Sequence, residues 1–220
     1  MNMATMEAGL LRDLGGTQQA FRERGYLSIP SVFPRVLMDV ALRYYLSYVG
    51  RPGYYVVKDT HKALDRYADA LSEAMMPTIQ QTLERTIGLT LLPAYSFARI
   101  YTTESTLTKH VDRGACEISA TMTIGCRNVR GLWPIYVEKD GEAVGVELSP
   151  GDVLAYRGME LPHWRDPLSE GIWCQVFFHF VQKGGRFADQ VYDGRGRMGP
   201  LTDDAVRRLA LGDDAVGGEV

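Results

Sequence analysis

Cysteine is scarce, with only Cys116, Cys126 and Cys174, and no two of them form a C-x-x-C pair. A disulfide framework and a cysteine-rich zinc site are thereby excluded, and three reduced, buried thiols are expected instead. Long apolar runs are missing too: no stretch approaches the ~18 residues that a bilayer span requires. The segment MNMATMEAGLLRDLGG carries acidic residues where an export signal has a basic flank. The expectation is a cytoplasmic chain with no membrane partner. Nor is there an excess of positive charge, since 24 Lys and Arg face 27 Asp and Glu for a net charge of −3. Without a basic stripe, nothing electrostatic points to nucleic acid. Histidine is sparse as well, at four residues.

Against these absences, 45% hydrophobic and 23% charged residues are the proportions of an ordinary globular protein, and 220 residues suffice for one domain with a substantial core. We expect a single domain over 1–220, with helical support over 1–90, a β core over 91–182 and a peripheral tail over 183–220. Thr17 reads as an N-cap before QQAFRER and Gly25 as the stop after it, followed by a strand over 26–29. Pro34 suits the first turn of a helix whose apolar positions Val36, Leu37, Val40, Ala41, Tyr44 and Tyr45 recur at helical spacing up to Gly50. A further helix is expected over 62–87 from the spacing of Leu64, Tyr67, Leu71, Met75, Ile79, Leu83 and Ile87, with Pro77 as a kink or break.

After Gly88 the texture changes to short runs rich in β-branched and aromatic residues, which predict strands at 94–102, 116–124, 133–137, 144–148, 153–156 and 172–181. Their spacing suggests an antiparallel sandwich or barrel with the helices buttressing one sheet. A short helix is expected at 203–211.

One histidine opens the triplet His110-Val111-Asp112. Residues two apart on an extended segment point to the same side, so this imidazole and carboxylate can converge on one ion. A third ligand must come from elsewhere, and His163 stands about fifty residues on, between the turn SPGDVLAYRGMELP and the last long strand. The set fits a two-histidine, one-carboxylate facial triad, which leaves coordination sites of Fe(II) open for catalysis. His179 reads as a hydrogen-bonded histidine near the far end of a barrel, and His61 as surface.

The stretch Phe97-Ala-Arg-Ile-Tyr101, a polar turn, Lys109-His-Val-Asp112, a β-rich run and then GMELPHW resemble the Fe(II)/2-oxoglutarate-dependent dioxygenase superfamily, most closely its prolyl-hydroxylase-like branch. The resemblance spans 94–181; before that it holds only in layout, through GYLSIP followed by a helix. It implies a mainly β fold with flanking helices, the double-stranded β-helix or cupin-like jelly roll, with the metal at the open end. It places His163 on the seventh core strand and has Tyr101 face the co-substrate, although Tyr101 suits a core or rim aromatic equally. The cofactors implied are Fe(II), 2-oxoglutarate and O2, with ascorbate as a stimulant, and the reaction is hydroxylation of an unactivated C–H bond in a small molecule or a peptide side chain. Because Asp112 supplies the carboxylate ligand, a halide cannot easily take its place, which favours hydroxylation or desaturation over halogenation.

The sequence departs from the family at one point. A basic residue usually stands about ten residues after the second histidine, where it pairs with the distal carboxylate of 2-oxoglutarate. Here that place falls on Trp173. A buried dianion needs a cation. Arg165, two residues after His163 and so on the same side of a strand, is the first choice; the alternative is a rim salt bridge to Asp166 or Glu160. Arg99 shares a strand face with Tyr101 and is a second possible partner, while Thr121, Thr123 and Gln175 have side chains able to reach the same carboxylate. Lys109, Arg113, Trp164 and residues 54–62 are candidates for substrate contact at the mouth. Two other readings stay open: a jelly-roll metal enzyme that does not use 2-oxoglutarate, which the Trp173 departure supports, and a non-catalytic binding barrel.

Overall fold

The computed structural model describes residues 3–58 and 62–198, with side chains from residue 14 onward except that of Lys58; His61 and the helix expected at 203–211 lie outside the described residues. The elements in chain order are α1 (Met3–Arg24), β1 (Tyr26–Ile29), α2 (Arg35–Ser47), β2 (Val56–Lys58), β3 (Ala63–Tyr67) and α3 (Ala70–Ile87), then β4 (Leu91–Thr102), β5 (Leu107–His110), β6 (Ile118–Arg127), β7 (Ile135–Lys139), β8 (Glu142–Val146), β9 (Val153–Tyr156), β10 (His163–Arg165) and β11 (Ile172–Gln182). Short 3-10 helices stand at Gly114–Cys116 and Ala188–Gly194.

The strands form a seven-stranded sheet, ordered β1-β9-β6-β11-β4-β3-β2, and a four-stranded sheet, ordered β5-β10-β7-β8, with every neighbouring pair antiparallel. The eight consecutive strands β4 to β11 are shared between the two sheets, four to each. This is the double-stranded β-helix that the resemblance implied, and it makes β10 the seventh core strand.

Alternation gives the large sheet two unlike faces. Ala98, Ile100, Ile118, Ala120, Met122, Cys174, Val176 and Phe178 turn outward into a core shared with Phe21 of α1, Leu42 and Tyr45 of α2, and Ile79 and Leu83 of α3. The intervening residues, among them Arg99, Tyr101, Ser119, Thr121, Gln175 and His179, face the interior between the sheets and are also buried. The helices thus stabilise the barrel from outside and leave its interior for polar groups.

Two expectations need correction. The 62–87 segment is not one helix: Ala63–Tyr67 is a strand paired with β4, Ala68 turns the chain at φ +48°, and Asp69 caps α3 by accepting from Leu71 N at 3.0 Å. The helical spacing of Leu64 and Tyr67 was overridden by tertiary pairing, in which inward Asp65 meets Arg99. Thr17 is not an N-cap either; α1 runs on from Met3, and the Thr17 hydroxyl donates to Leu14 O at 2.8 Å within the helix. Pro77 stands inside α3 without ending it, and Gly25 ends α1 at φ +79° as expected. β2, β5 and β10, three or four residues each, were absent from the expected strands.

Gly151 ties α2 to the sheet. Its N–H donates to Thr123 O and its carbonyl accepts from Val32 N, both at 2.9 Å. Its φ is +93°, and a Cβ there would lie 2.2 Å from Phe33 O. Gly151→Ala is therefore expected to destabilise the protein by on the order of 3 kcal/mol, measured as a lowered urea midpoint at unchanged slope.

Candidate metal centre

β5 and β10 lie side by side with His110 and His163 as direct cross-strand partners, so the two imidazoles project to the same side with ring centroids 4.3 Å apart. Asp112, two residues beyond His110, is fixed by its backbone N–H donating to Gly158 O at 2.8 Å. Its Oδ1 then lies 3.6 Å from His110 Nε2 and 3.7 Å from His163 Nε2. Two ligands bonded to one ion at about 2.1 Å each can be at most about 4.2 Å apart, so one ion can bridge these atoms.

The surroundings orient each group for that task. His110 Nδ1 lies 2.7 Å from Thr108 O and His163 Nδ1 lies 3.0 Å from Leu161 O. Carbonyls only accept, so both Nδ1 atoms carry the proton and both Nε2 lone pairs are free for a metal. Burial lowers the His163 pKa and favours the neutral ring, whereas the neighbouring Asp112 raises that of His110. Burial alone would raise the Asp112 pKa, but the His110 imidazole, the two other histidines and the Ser119 hydroxyl outweigh it and hold it at about 2. Ser119 Oγ donates to Asp112 Oδ2 at 2.8 Å, which leaves Oδ1 for the ion.

Gly158 completes this arrangement, and sequence reasoning missed it. A Cβ at this position would meet Asp112 Oδ2 at 2.3 Å, Cys116 O at 2.4 Å and Ser119 Oγ at 2.7 Å. Those three atoms belong to one segment, residues 112–119, about forty residues earlier in the chain, so no pattern local to Gly158 marks the requirement. A cavity of about 180 Å³ opens beside the three ligand residues and is lined further by Tyr95, Phe97, Arg99, Tyr156, Phe177 and His179. The inward parity of Arg99 and Tyr101 extends to Tyr95 and Phe97, which would have found those two.

Arg165 follows His163 on the same face and is buried. It forms no rim salt bridge: Glu160 pairs with Arg157 at 3.4 Å, and the Arg165 guanidinium packs between the Trp133 and Trp173 rings, 4.6 and 5.7 Å from their centroids. Its Nη1 donates to Trp133 O at 2.5 Å, while Nε and Nη2 have no partner among the described residues. The buried hydroxyls of Tyr101 and Tyr156 also lack partners there. Burial pushes the Arg165 pKa down to about 10, which keeps it cationic at neutral pH. Unpaired buried donors of this kind call for an absent acceptor, and an anion fits.

The remaining sequence candidates divide. Arg99 lines the cavity but is held bidentately by Asp65, with Nε to Oδ1 at 2.5 Å and Nη2 to Oδ2 at 3.0 Å. Gln175 accepts from the Trp173 indole at 2.8 Å and from Thr123 at 3.2 Å, and donates to Thr121 at 2.7 Å, so these side chains close on one another. Lys109 and Trp164 do not line the cavity. They point to the outer face of the small sheet, where Lys109 meets Glu138 at 2.6 Å and the Trp164 ring at 4.7 Å, and Trp164 stacks on Tyr136. Arg113 pairs with Asp193 at 2.8 Å over the Tyr95 ring, beside the cavity. Tyr54 stacks on Tyr48 and donates to Asp69, away from the cavity-lining residues. Cys116 and Cys174 are buried and Cys126 is partly so.

The fold is a jelly roll, and His110, Asp112 and His163 form a group that could hold a metal ion. No protein-family model and no curated protein matches the sequence. Solved structures do. A prolyl-4-hydroxylase from Pseudomonas putida superposes with a TM-score of 0.62 at 14% identity, covering 78% of this chain and 100% of that one. The non-heme α-ketoglutarate-dependent epimerase SnoN of nogalamycin biosynthesis gives 0.60 at 16% identity, covering 90% and 95%. HygX from Streptomyces hygroscopicus, solved with nickel, 2-oxoglutarate and hygromycin B, gives 0.59 at 14% identity, covering 76% and 86%. At these identities the likeness establishes the fold, which is that of the 2-oxoglutarate oxygenases.

Ser119 and Gly158 touch the ligand carboxylate without being ligands. Ser119→Ala and Gly158→Ala are each expected to weaken binding of Mn(II) by roughly 10- to 100-fold, read by anaerobic calorimetry.

Proposed function

We propose that this protein is an Fe(II)- and 2-oxoglutarate-dependent oxygenase that hydroxylates an unactivated C–H bond of a small molecule or a peptide side chain. The observation that carries the reading is the convergence of His110, Asp112 and His163 two residues along the strand from a buried guanidinium with two unpaired nitrogens. When bound together, the iron, O2 and 2-oxoglutarate supply oxidation of a C–H bond coupled to conversion of the co-substrate to succinate and carbon dioxide.

The chain's own residues hold, orient and shield. His110, Asp112 and His163 would hold the metal, their tautomers and rotamers being set by Thr108 O, Leu161 O and Ser119 so that Nε2, Oδ1 and Nε2 are left free. Arg165 replaces the basic residue missing at Trp173 and takes the distal carboxylate of the co-substrate, with the Tyr101 and Tyr156 hydroxyls as further donors. Trp133 and Trp173 exclude water from that ion pair, which strengthens it. Asp112 keeps a halide out of its coordination position, so hydroxylation is favoured over halogenation. HygX, a barrel of this kind, was solved with nickel, 2-oxoglutarate and hygromycin B bound together. The three unpaired thiols suit a reducing, cytoplasmic compartment, and ascorbate is the reductant to include when turnover is measured.

Titrating the anaerobic Fe(II) protein with 2-oxoglutarate is expected to raise a weak visible charge-transfer band, and admitting air to give succinate. His110→Ala should abolish both. A stoichiometric metal with neither band nor succinate would instead indicate a jelly-roll metal enzyme with a different co-substrate.

Arg165→Met separates binding from folding. Loss of the charge-assisted pair should raise the 2-oxoglutarate concentration at half-saturation by roughly 10- to 100-fold. The same variant, free of an unpaired buried charge, should unfold at an equal or higher temperature than wild type when no 2-oxoglutarate is present.

A further inference from the structure

His179 sits on the wall of the cavity and is not a metal ligand in the arrangement above. Its Nδ1 is 2.9 Å from Ser119 Oγ. Ser119 has one proton to give, and the acceptors around it are Asp112 Oδ2 at 2.8 Å and Cys116 O at 3.2 Å. Neither group can donate, so the serine proton goes to one of them and Ser119 Oγ accepts from His179. The imidazole is therefore fixed as the Nδ1–H tautomer, and Nε2 keeps its lone pair. That nitrogen has no hydrogen-bond partner among the described residues and, unlike Arg165 Nε and Nη2, is not a fully buried unpaired atom: it is accessible from the cavity that His179 lines. Burial holds the His179 pKa down at about 4, which keeps the ring neutral.

The rest of this end of the cavity is aromatic. Tyr95 lies opposite His179 and Phe97 opposite Phe177 in the β4–β11 ladder, and the Tyr95 and His179 rings are 4.5 Å apart. Asp112 is the sole carboxylate among the cavity-lining residues described, and it is committed to the metal. Arg99 is neutralised by Asp65 and Arg113 by Asp193. A substrate ammonium would find no counter-charge here, and a second carboxylate no unpaired cation. The cavity of about 180 Å³ is smaller than the ~300–1,000 Å³ of pockets for drug-sized ligands.

We propose that His179 is a substrate-binding residue whose Nε2 accepts a hydrogen bond from the hydroxyl of an uncharged, ring-sized group, a phenol or cyclic alcohol, seated between Tyr95, Phe97 and Phe177. This assignment rests on the proposed oxygenase reading for the word substrate, but binding itself needs no turnover. A molecule lacking the hydroxyl leaves Nε2 buried and unpaired, so the discrimination comes from an unsatisfied acceptor as much as from a bond formed.

The test uses p-cresol and toluene, which differ by one hydroxyl, and 4-methylbenzylammonium, which carries a charge. Binding to the full chain is measured by ligand-observed NMR, metal-free and again with Ni(II) and 2-oxoglutarate. Wild type should bind p-cresol about ten-fold more tightly than toluene, with the ammonium probe weakest. His179→Gln, which keeps an acceptor oxygen, should retain the preference, and His179→Phe should lose it. In wild type, ring 15N spectra should show an Nδ1–H tautomer at His179, with the Nε2 resonance moved by p-cresol and not by toluene; this measurement stands even if a variant fails to fold. Equal affinity of wild type for the two neutral probes, a preference kept in His179→Phe, or tighter binding of the ammonium probe overturns the proposal. The Fe(II)–2-oxoglutarate absorption band is the separate readout for the oxygenase reading. Its absence in wild type would remove that reading and leave the hydroxyl preference standing, while its presence in His179→Phe with the preference lost supports both.

Discussion

The pairing of β5 with β10 is the constraint on which everything else rests. These strands are four and three residues long, too short to be stable by themselves. They are held because the small sheet is one wall of a closed jelly roll whose other wall is clamped by α1, α2 and α3. Within that frame the His110–His163 register fixes two ligand rings on one face, and a slip of one residue would turn His163 to the outside and bring Trp164 in. The candidate metal centre is thus a consequence of strand register, with the apolar core of the large sheet supplying the rigidity.

Around this pairing the polar interior is arranged in two states of completeness. Thr121, Thr123, Trp173 and Gln175 satisfy one another, and Arg99 is matched by Asp65. Arg165, Tyr101 and Tyr156 are buried with donors left over. Each leftover donor without an acceptor costs on the order of 1–3 kcal/mol, a cost that a bound anion would offset. The unpaired donors of Arg165, Tyr101 and Tyr156 thus stand against the mutually bonded set of Thr121, Thr123, Trp173 and Gln175.

Much of the centre was legible because strand parity is a local rule. His110 and Asp112 share a side of an extended chain whatever fold surrounds them, and so do His163 and Arg165, which is why those four residues could be named in advance. The same rule turned Lys109 and Trp164 away from the ligands but could not tell mouth from outer wall, since that depends on where the second sheet lies. Ala63–Tyr67 was misread because its inward polar residue, Asp65, makes sense only beside Arg99, thirty-four residues away. Gly158 was invisible for the same reason: the need for a missing Cβ arises from Asp112, Cys116 and Ser119 meeting there. His179 was read as a hydrogen-bonded histidine, and it is one, but only the Ser119–Asp112 contact reveals which of its nitrogens remains open.

The displacement of the cation from the last strand to β10 has a physical consequence of its own. With Arg165 in that role, the proposed grip on the co-substrate and one metal ligand share a three-residue strand, His163 and Arg165 being about 6.6 Å apart along it. An error in the placement of β10 then moves both groups together and preserves their separation, which a cation on β11 would not guarantee. The position left on β11 is free to carry an indole, and Trp173 uses it to wall the guanidinium off from water while donating to Gln175. A tryptophan that at first counts against an anion site would, with Arg165 in the proposed role, be the low-dielectric surface that makes a single cation sufficient.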